Sequence, residues 1–140
     1  MRHLICISII ALICSSHTSF SQSVNIPADS VTHLLCKKWE MDYVIDDGMK
    51  ISRPPGAPEM NYEFNKDKTF VFTGNGNSTK VKGTWSYDPG KKLIKLTLNG
   101  RSNTSIISLT NDQLEMLMDT KAATPSDPTP IQMFCKPSAK

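Results

Sequence analysis

Few residues in this sequence have the chemistry of a catalytic or metal site. Beyond residue 21 the only histidine is His33, so a Ser-His-Asp triad would have to use it, and no nucleophile-elbow motif accompanies it. One histidine and two distant cysteines also do not match the ligand spacing of a zinc site. We therefore interpret His33 as a surface or helix-cap residue and predict that the protein is not an enzyme.

Two other clusters contain groups that bind ions in other proteins. Asp42, Asp46 and Asp47 lack the alternating Asp-x-Asp-x-Asp-Gly pattern of a calcium loop, and they fit solvated turn residues. The segment Gly74-Asn75-Gly76-Asn77 is not followed by a helix or by the Lys-Ser/Thr pair of a phosphate-binding loop. The sequence therefore predicts no cofactor and no metal.

Arg53 and Arg101 are the polar residues of most functional interest, because both fall in connections between predicted strands. A guanidinium above an apolar pocket can bind the anionic group of a ligand. The alternative is that both arginines are solvated surface residues.

Cys36 and Cys135 are the cysteines that remain outside the N-terminal segment, which holds Cys6 and Cys14. Two cysteines in an exported protein usually pair, so we predict a Cys36–Cys135 disulfide that ties the first strand to the last. Two free buried thiols are the alternative. The alternation of the strands leaves open whether Cys36 lies at a helix-to-strand junction or Phe134, rather than Cys135, points inward.

The N-terminus has the layout of a secretory signal peptide. Arg2 and His3 precede an apolar run over residues 4–14, and small residues at Ser19 and Ser21 favour cleavage before Gln22. The apolar run is too short to span a bilayer, and the bulky Ile13 argues against lipidation of Cys14. We expect an exported protein, periplasmic or extracellular, without a membrane span.

Length and charge narrow the class of protein further. A chain of 140 residues fits one domain. Its 16 basic and 13 acidic residues give a net charge of +3, and the lysines alternate along strands instead of clustering, which argues against a nucleic-acid partner. We predict residues 1–21 as signal peptide, 22–29 as a flexible leader, 30–136 as the folded domain and 137–140 as a tail.

Alternation of apolar and polar residues predicts an antiparallel sheet. The clearest case is a hairpin over Thr79–Leu98, in which one face carries Val81, Gly83, Trp85 and Tyr87 and the turn is Asp88–Lys91. A short helix, capped by Asp29 or Ser30, precedes the sheet. The first predicted strand is Lys37–Ile45, with Trp39, Met41 and Tyr43 inward, and Met49–Ser52 is a candidate short extension of it. The remaining predicted strands are Glu59–Asn65, Thr69–Thr73, Asn103–Leu109, Gln113–Asp119 and Pro130–Lys136.

Eight antiparallel strands in sequential order predict an up-and-down β-barrel, which closes its own edges. In such a barrel the connections lie at two opposite ends. One end, here called the turn end, has three short turns, and the other, here called the loop end, has the longer and more varied loops. The helix would close the turn end, and any pocket would open at the loop end. Barrels of this strand number are either filled by side chains or hold one small ligand, and the sequence leaves both open.

Four motifs resemble the lipocalin-like (calycin-type) domains of exported bacterial proteins. They are Leu34–Glu40, Phe64–Phe70, Gly83–Tyr87 and Ile107–Leu114, and the resemblance spans about residues 30–136. It implies an all-β barrel that binds a small, mostly apolar molecule.

We accordingly predict a small hydrophobic or amphipathic ligand, with a filled barrel that contacts an envelope or extracellular protein as the alternative. The predicted ligand-binding residues are Tyr43, Arg53, Tyr62, Phe72, Val81, Arg101, Met116 and Met118.

Overall fold

The computed structural model describes residues 24, 26–74, 78–119 and 130–139, with the side chain of residue 103 left aside. Residues 1–21, which carry the predicted signal peptide, lie outside the described part. The described residues form one helix and nine strands. They are α1 (Ala28–Leu35), β1 (Lys38–Asp46), β2 (Met49–Ser52), β3 (Asn61–Phe64), β4 (Thr69–Gly74), β5 (Thr79–Asp88), β6 (Leu93–Leu98), β7 (Arg101–Leu109), β8 (Leu114–Met118) and β9 (Ile131–Pro137).

Eight of these strands close into an antiparallel barrel, which confirms the predicted fold. From β3 to β9 each strand pairs with the next along the chain, and β1 pairs with both β3 and β9. Strand β2 is a ninth strand that pairs with residues 43–46 of β1. Asp47 and Gly48 connect β1 and β2 with φ of 48° and 74°, the backbone that a two-residue hairpin requires.

The helix closes the turn end of the barrel, as the sequence predicts. Its Val31 and Leu35 are buried in the core, and Trp39 Nε1 at the start of β1 donates a hydrogen bond of 3.0 Å to the Leu35 carbonyl. The predicted cap is wrong: Pro27 is the N-cap residue, without a side-chain cap bond, because the helix begins at Ala28, ahead of both candidate residues.

Val24 and Ile26 of the predicted flexible leader pack against the barrel, whereas residues 27–29 are exposed. Val24 is 2% exposed, and its N–H donates to the Lys92 carbonyl at 2.6 Å. The Tyr87 hydroxyl donates to the Ile26 carbonyl at 3.2 Å. Both contacts reach the β5–β6 hairpin, so this segment adds to the closure of the turn end.

A β-bulge in β1 corrects the predicted direction of Tyr43. Met41 opposes Cys135, but Tyr43 already opposes Phe134, so Asp42 is an extra residue on the β1 side. After the bulge Val44 packs against the core in the place that alternation assigned to Tyr43. The Tyr43 ring instead stacks on Phe134 on the outer face, with 4.5 Å between centroids.

The predicted disulfide is wrong, because Cys36 and Cys135 are both free thiols. Cys36 ends the helix before β1 begins, whereas Cys135 opposes Met41, three residues into β1. At about 3.3 Å per strand residue this offset alone is about 10 Å, beyond the Cα separation that a disulfide tolerates. The structure thus combines a helix-to-strand junction at Cys36 with an inward Cys135.

Among the described residues no helix is both long and apolar enough to cross a membrane.

Candidate ligand-binding site

The interior of the barrel is filled near the turn end and hollow near the loop end. A cavity of about 260 Å³, here called the barrel cavity, occupies the hollow part. Its lining residues are Met60, Tyr62, Phe70, Phe72, Leu96, Leu98, Thr104, Met118 and Met133. The structure therefore decides against a completely filled barrel.

Position along each strand separates lining residues from packed residues. On β8, which runs from the turn end to the loop end, Leu114 and Met116 are fully buried and Met118 lines the cavity. On β9, which runs the other way, Met133 lines the cavity and Cys135 is packed below it. The predicted location of the pocket at the loop end agrees with this arrangement.

Aromatic side chains build one wall of the barrel cavity. The rings of Tyr62 and Phe72 lie 4.9 Å apart and those of Tyr62 and Phe70 lie 6.3 Å apart, at tilted angles that aromatic pairs favour. The Phe70 ring covers Gly83 of β5 so closely that a Cβ atom there would lie 2.5 Å from it. Because Gly83 has no side chain, the Phe70 ring can lie against the β5 backbone, and this contact sets the position of the aromatic wall.

Three of the predicted ligand-binding residues line the barrel cavity: Tyr62, Phe72 and Met118. Arg53 lines a second cavity, described below. These four lie on or beside the parts of the strands that face the loop end.

The other four predicted residues lie elsewhere. Tyr43 is on the outer face because of the bulge. Met116 is packed in the core with no exposed surface. Val81 opposes Phe72 without being among the lining residues. Arg101 is exposed at the rim, next to the two-residue turn Asn99-Gly100, and lines neither cavity.

Sequence reasoning missed Phe70, Leu96, Leu98, Met60, Met133 and Thr104 as site residues. The first five fall on the inward face that alternation predicts. Alternation does not give the position of a residue along the barrel axis, so it could not separate these lining residues from the packed ones. Thr104 shares its parity with the buried Ile106, so alternation along β7 could have found it.

A second cavity of about 350 Å³, here called the loop cavity, lies between the β1–β2 hairpin and the proline-rich segment that leads to β3. Its lining residues are Met41, Val44, Ile51, Ser52, Arg53, Pro54, Ala57, Pro58 and Met60. Met60 lines both cavities, so they are neighbours that share one flexible side chain.

Among the described residues that line the loop cavity, Arg53 has the only charged side chain. Its Nη2 atom donates to Glu40 Oε1 at 2.8 Å, and the two side chains are 26% and 14% exposed. Its Nη1 atom is buried and has no hydrogen-bond partner among the described residues. A buried donor without an acceptor costs free energy.

The described residues that line the barrel cavity carry no charge at neutral pH. Tyr62 is the only ionisable residue among them, and burial raises the pKa of that phenol above its ordinary value. Within the described parts of the chain no group of three or more His, Cys, Asp or Glu residues could hold a metal ion. The cavity therefore suits apolar contact with a guest.

A small antiparallel barrel with an apolar cavity at one end has the architecture of the lipocalin-type binding proteins. A family model for the lipocalin-like domain matches residues 35–116, which is more than half of the 140 residues. The chain therefore belongs to the lipocalin-like domain family. Searches of the curated proteins and of the solved structures return no significant match.

Proposed function

We propose that the protein binds one small, mostly apolar or amphipathic molecule in the barrel cavity and that it does so outside the cytoplasm. The observation that carries the proposal is the cavity itself, about 260 Å³ of space walled by aromatic, aliphatic and methionine side chains at the loop end. Burying apolar surface of a guest there is favourable by about 25 cal/mol per Å². Methionines such as Met118 and Met133 adapt to guests of different shape.

Binding fits this site better than catalysis does. Among the lining residues that the structure describes, only Tyr62 has an ionisable side chain, and the raised pKa of its phenol keeps it protonated in the range where most enzymes work. The protein is accordingly proposed as a carrier or scavenger of its ligand.

Export is supported by the sequence of residues 1–21, where a basic start, an apolar run and small residues before Gln22 follow one another. The proposed location is the periplasm or the extracellular space. There the barrel would bind apolar molecules that are poorly soluble in water.

Two measurements test the ligand proposal. Native mass spectrometry of protein purified from its own host is expected to reveal a co-purified small molecule. Leu98→Trp, which places a large ring in the barrel cavity, is expected to abolish binding of the neutral fluorescent probe N-phenylnaphthylamine. Leu117→Trp is the matched control, because Leu117 lies on β8 between the inward Met116 and Met118 and faces outward.

Equal binding of the probe by the Leu98→Trp variant and the wild type would contradict the proposal, as would failure of the wild type to bind any apolar probe. Circular dichroism of both tryptophan variants verifies that each one folds.

A second candidate function, contact with another protein, is favoured by one observation. Met49 and Ile51 of β2 are 65% and 50% exposed, and they are the large hydrophobic residues with most exposure in the described part of the chain. Replacing both by Ser should abolish such a contact. It should leave uptake of N-phenylnaphthylamine intact if the barrel cavity is the ligand site.

A further inference from the structure

Arg53 lines the loop cavity and carries an unsatisfied donor that the barrel cavity does not explain. Its Nη1 atom is buried and has no hydrogen-bond partner among the described residues, while Nη2 of the same guanidinium is held by Glu40. Guanidinium groups carry five N–H donors in a rigid fork, and buried donors normally find acceptors. Because Nη1 has almost no exposed surface, the guanidinium must turn toward the loop cavity before an acceptor there can remove this cost.

The charge on Arg53 is already balanced. Glu40 Oε1 lies 2.8 Å from Nη2, and the Glu40 side chain is only 14% exposed. A ligand carboxylate at Nη1 would place a second negative charge beside Glu40, and like charges that share one partner repel each other. An uncharged oxygen can accept the same hydrogen bond without this repulsion.

The two cavities are placed so that one molecule can occupy both. Met60 lines each of them, and its unbranched side chain can shift among several rotamers. The barrel cavity, at about 260 Å³, is slightly smaller than the usual ligand pocket of about 300–1,000 Å³. The adjoining loop cavity of about 350 Å³ brings the combined space into that range.

We propose that the ligand is an uncharged amphiphile whose apolar chain occupies the barrel cavity and whose polar end lies in the loop cavity. There a hydroxyl or carbonyl oxygen accepts a hydrogen bond from Arg53 Nη1. This inference rests on the proposed ligand-binding function and adds the chemical class of the ligand and the residue that selects it.

Competition with bound N-phenylnaphthylamine tests the inference, with decanol and decanoate as competitors of equal chain length. The wild type should bind decanol more tightly than decanoate at neutral pH. Arg53→Met should weaken decanol about tenfold relative to the probe, the loss expected for one hydrogen bond from a charged donor. Arg101→Met removes the same charge from the exposed rim and should change neither affinity.

Glu40→Gln provides the complementary measurement. Gln keeps an oxygen for Arg53 Nη2 but removes the competing negative charge, so the affinity for decanoate should rise relative to that for decanol. If Arg53→Met does not fold, the double variant Glu40→Gln/Arg53→Met takes its place and is compared with Glu40→Gln alone, because it leaves no buried, unpaired carboxylate at position 40.

The outcomes separate the two proposals. If the wild type does not bind the probe, the proposed function fails. If the probe binds but decanoate is preferred, or Arg53→Met and Arg101→Met weaken decanol equally, the function stands and the inference about Arg53 is overturned.

Discussion

Gly83→Ala should destabilise the barrel and narrow its cavity at the same time. A Cβ atom at position 83 would lie 2.5 Å from two atoms of the Phe70 ring and 2.6 Å from the Thr97 carbonyl oxygen. Ordinary van der Waals contact begins at 3.4 Å, so the ring would have to retreat by about 0.9 Å and the carbonyl oxygen by about 0.8 Å. The ring can move toward the barrel cavity, but the carbonyl belongs to the β6 backbone and cannot turn away.

The size of the effect follows from these contacts. Overpacking a core costs about 1–3 kcal/mol, and the fixed carbonyl puts this site at the upper end. The loss of backbone freedom in the unfolded chain offsets about 0.4–1 kcal/mol. We therefore expect a net loss of about 2 kcal/mol in the free energy of unfolding.

Urea denaturation followed by tryptophan fluorescence measures this loss, since Trp39 and Trp85 are both buried. Gly90→Ala is the matched control: its Cβ would meet only Asp88 Oδ1 at 3.3 Å, so stability should stay within about 1 kcal/mol of the wild type. In a Phe70→Leu background the cost of Gly83→Ala should fall, because the ring contact is gone. The steric argument is refuted if Gly83→Ala is as stable as the wild type, or if the substitution costs the same free energy of unfolding in both backgrounds.

Three further predictions concern Tyr43 and Cys135, two residues that do not have their expected roles in the structure. Tyr43→Ala should cost about 0.5–1.5 kcal/mol through the lost stacking on Phe134 and leave probe binding unchanged, as titration with N-phenylnaphthylamine would verify. Cys135 should resist thiol reagents in the native, unreduced protein and react once it is unfolded, because the thiol is buried and not oxidised. Burial raises the pKa of Cys135 from 9.0 to about 12. Between these values the unfolded chain releases a proton that the folded chain keeps, so stability should fall with rising pH by up to about 1.4 kcal/mol per pH unit relative to Cys135→Ala.

A weaker binding of the probe by Tyr43→Ala would place that ring inside the barrel after all. Unfolded, unreduced protein in which neither cysteine reacts would mean that the predicted disulfide exists. A pH dependence identical in the wild type and Cys135→Ala would show that this thiol ionises equally in both states.

Much of the fold could be predicted because strand formation leaves a local signal. The alternation through Val81, Gly83, Trp85 and Tyr87 and the turn after Asp88 predict the β5–β6 hairpin, and the structure pairs Trp85 with Leu96 and Tyr87 with Ile94. The same local reasoning predicts the helix and all eight barrel strands, and the strand bounds differ from the observed ones by two residues at most.

The candidate site could be predicted only in part, since it depends on where strands stand relative to one another. Alternation makes Met116 and Met118 equivalent, but the register with β7 and β9 places Met116 in the packed half and Met118 in the hollow half. The bulge at Asp42 reverses the direction of Tyr43 without any sequence signal that alternation alone detects.

The sequence by itself therefore determined the number and order of the strands, the side of most side chains and the end of the barrel where a cavity opens. Each of these follows from a period of two residues and from turn chemistry, which act between neighbours in the chain. Only the tertiary structure decided the depth of each inward residue, the separation of Cys36 from Cys135 and the unpaired donor of Arg53. Those features depend on contacts between residues far apart in the chain, and their positions become fixed only when the barrel closes.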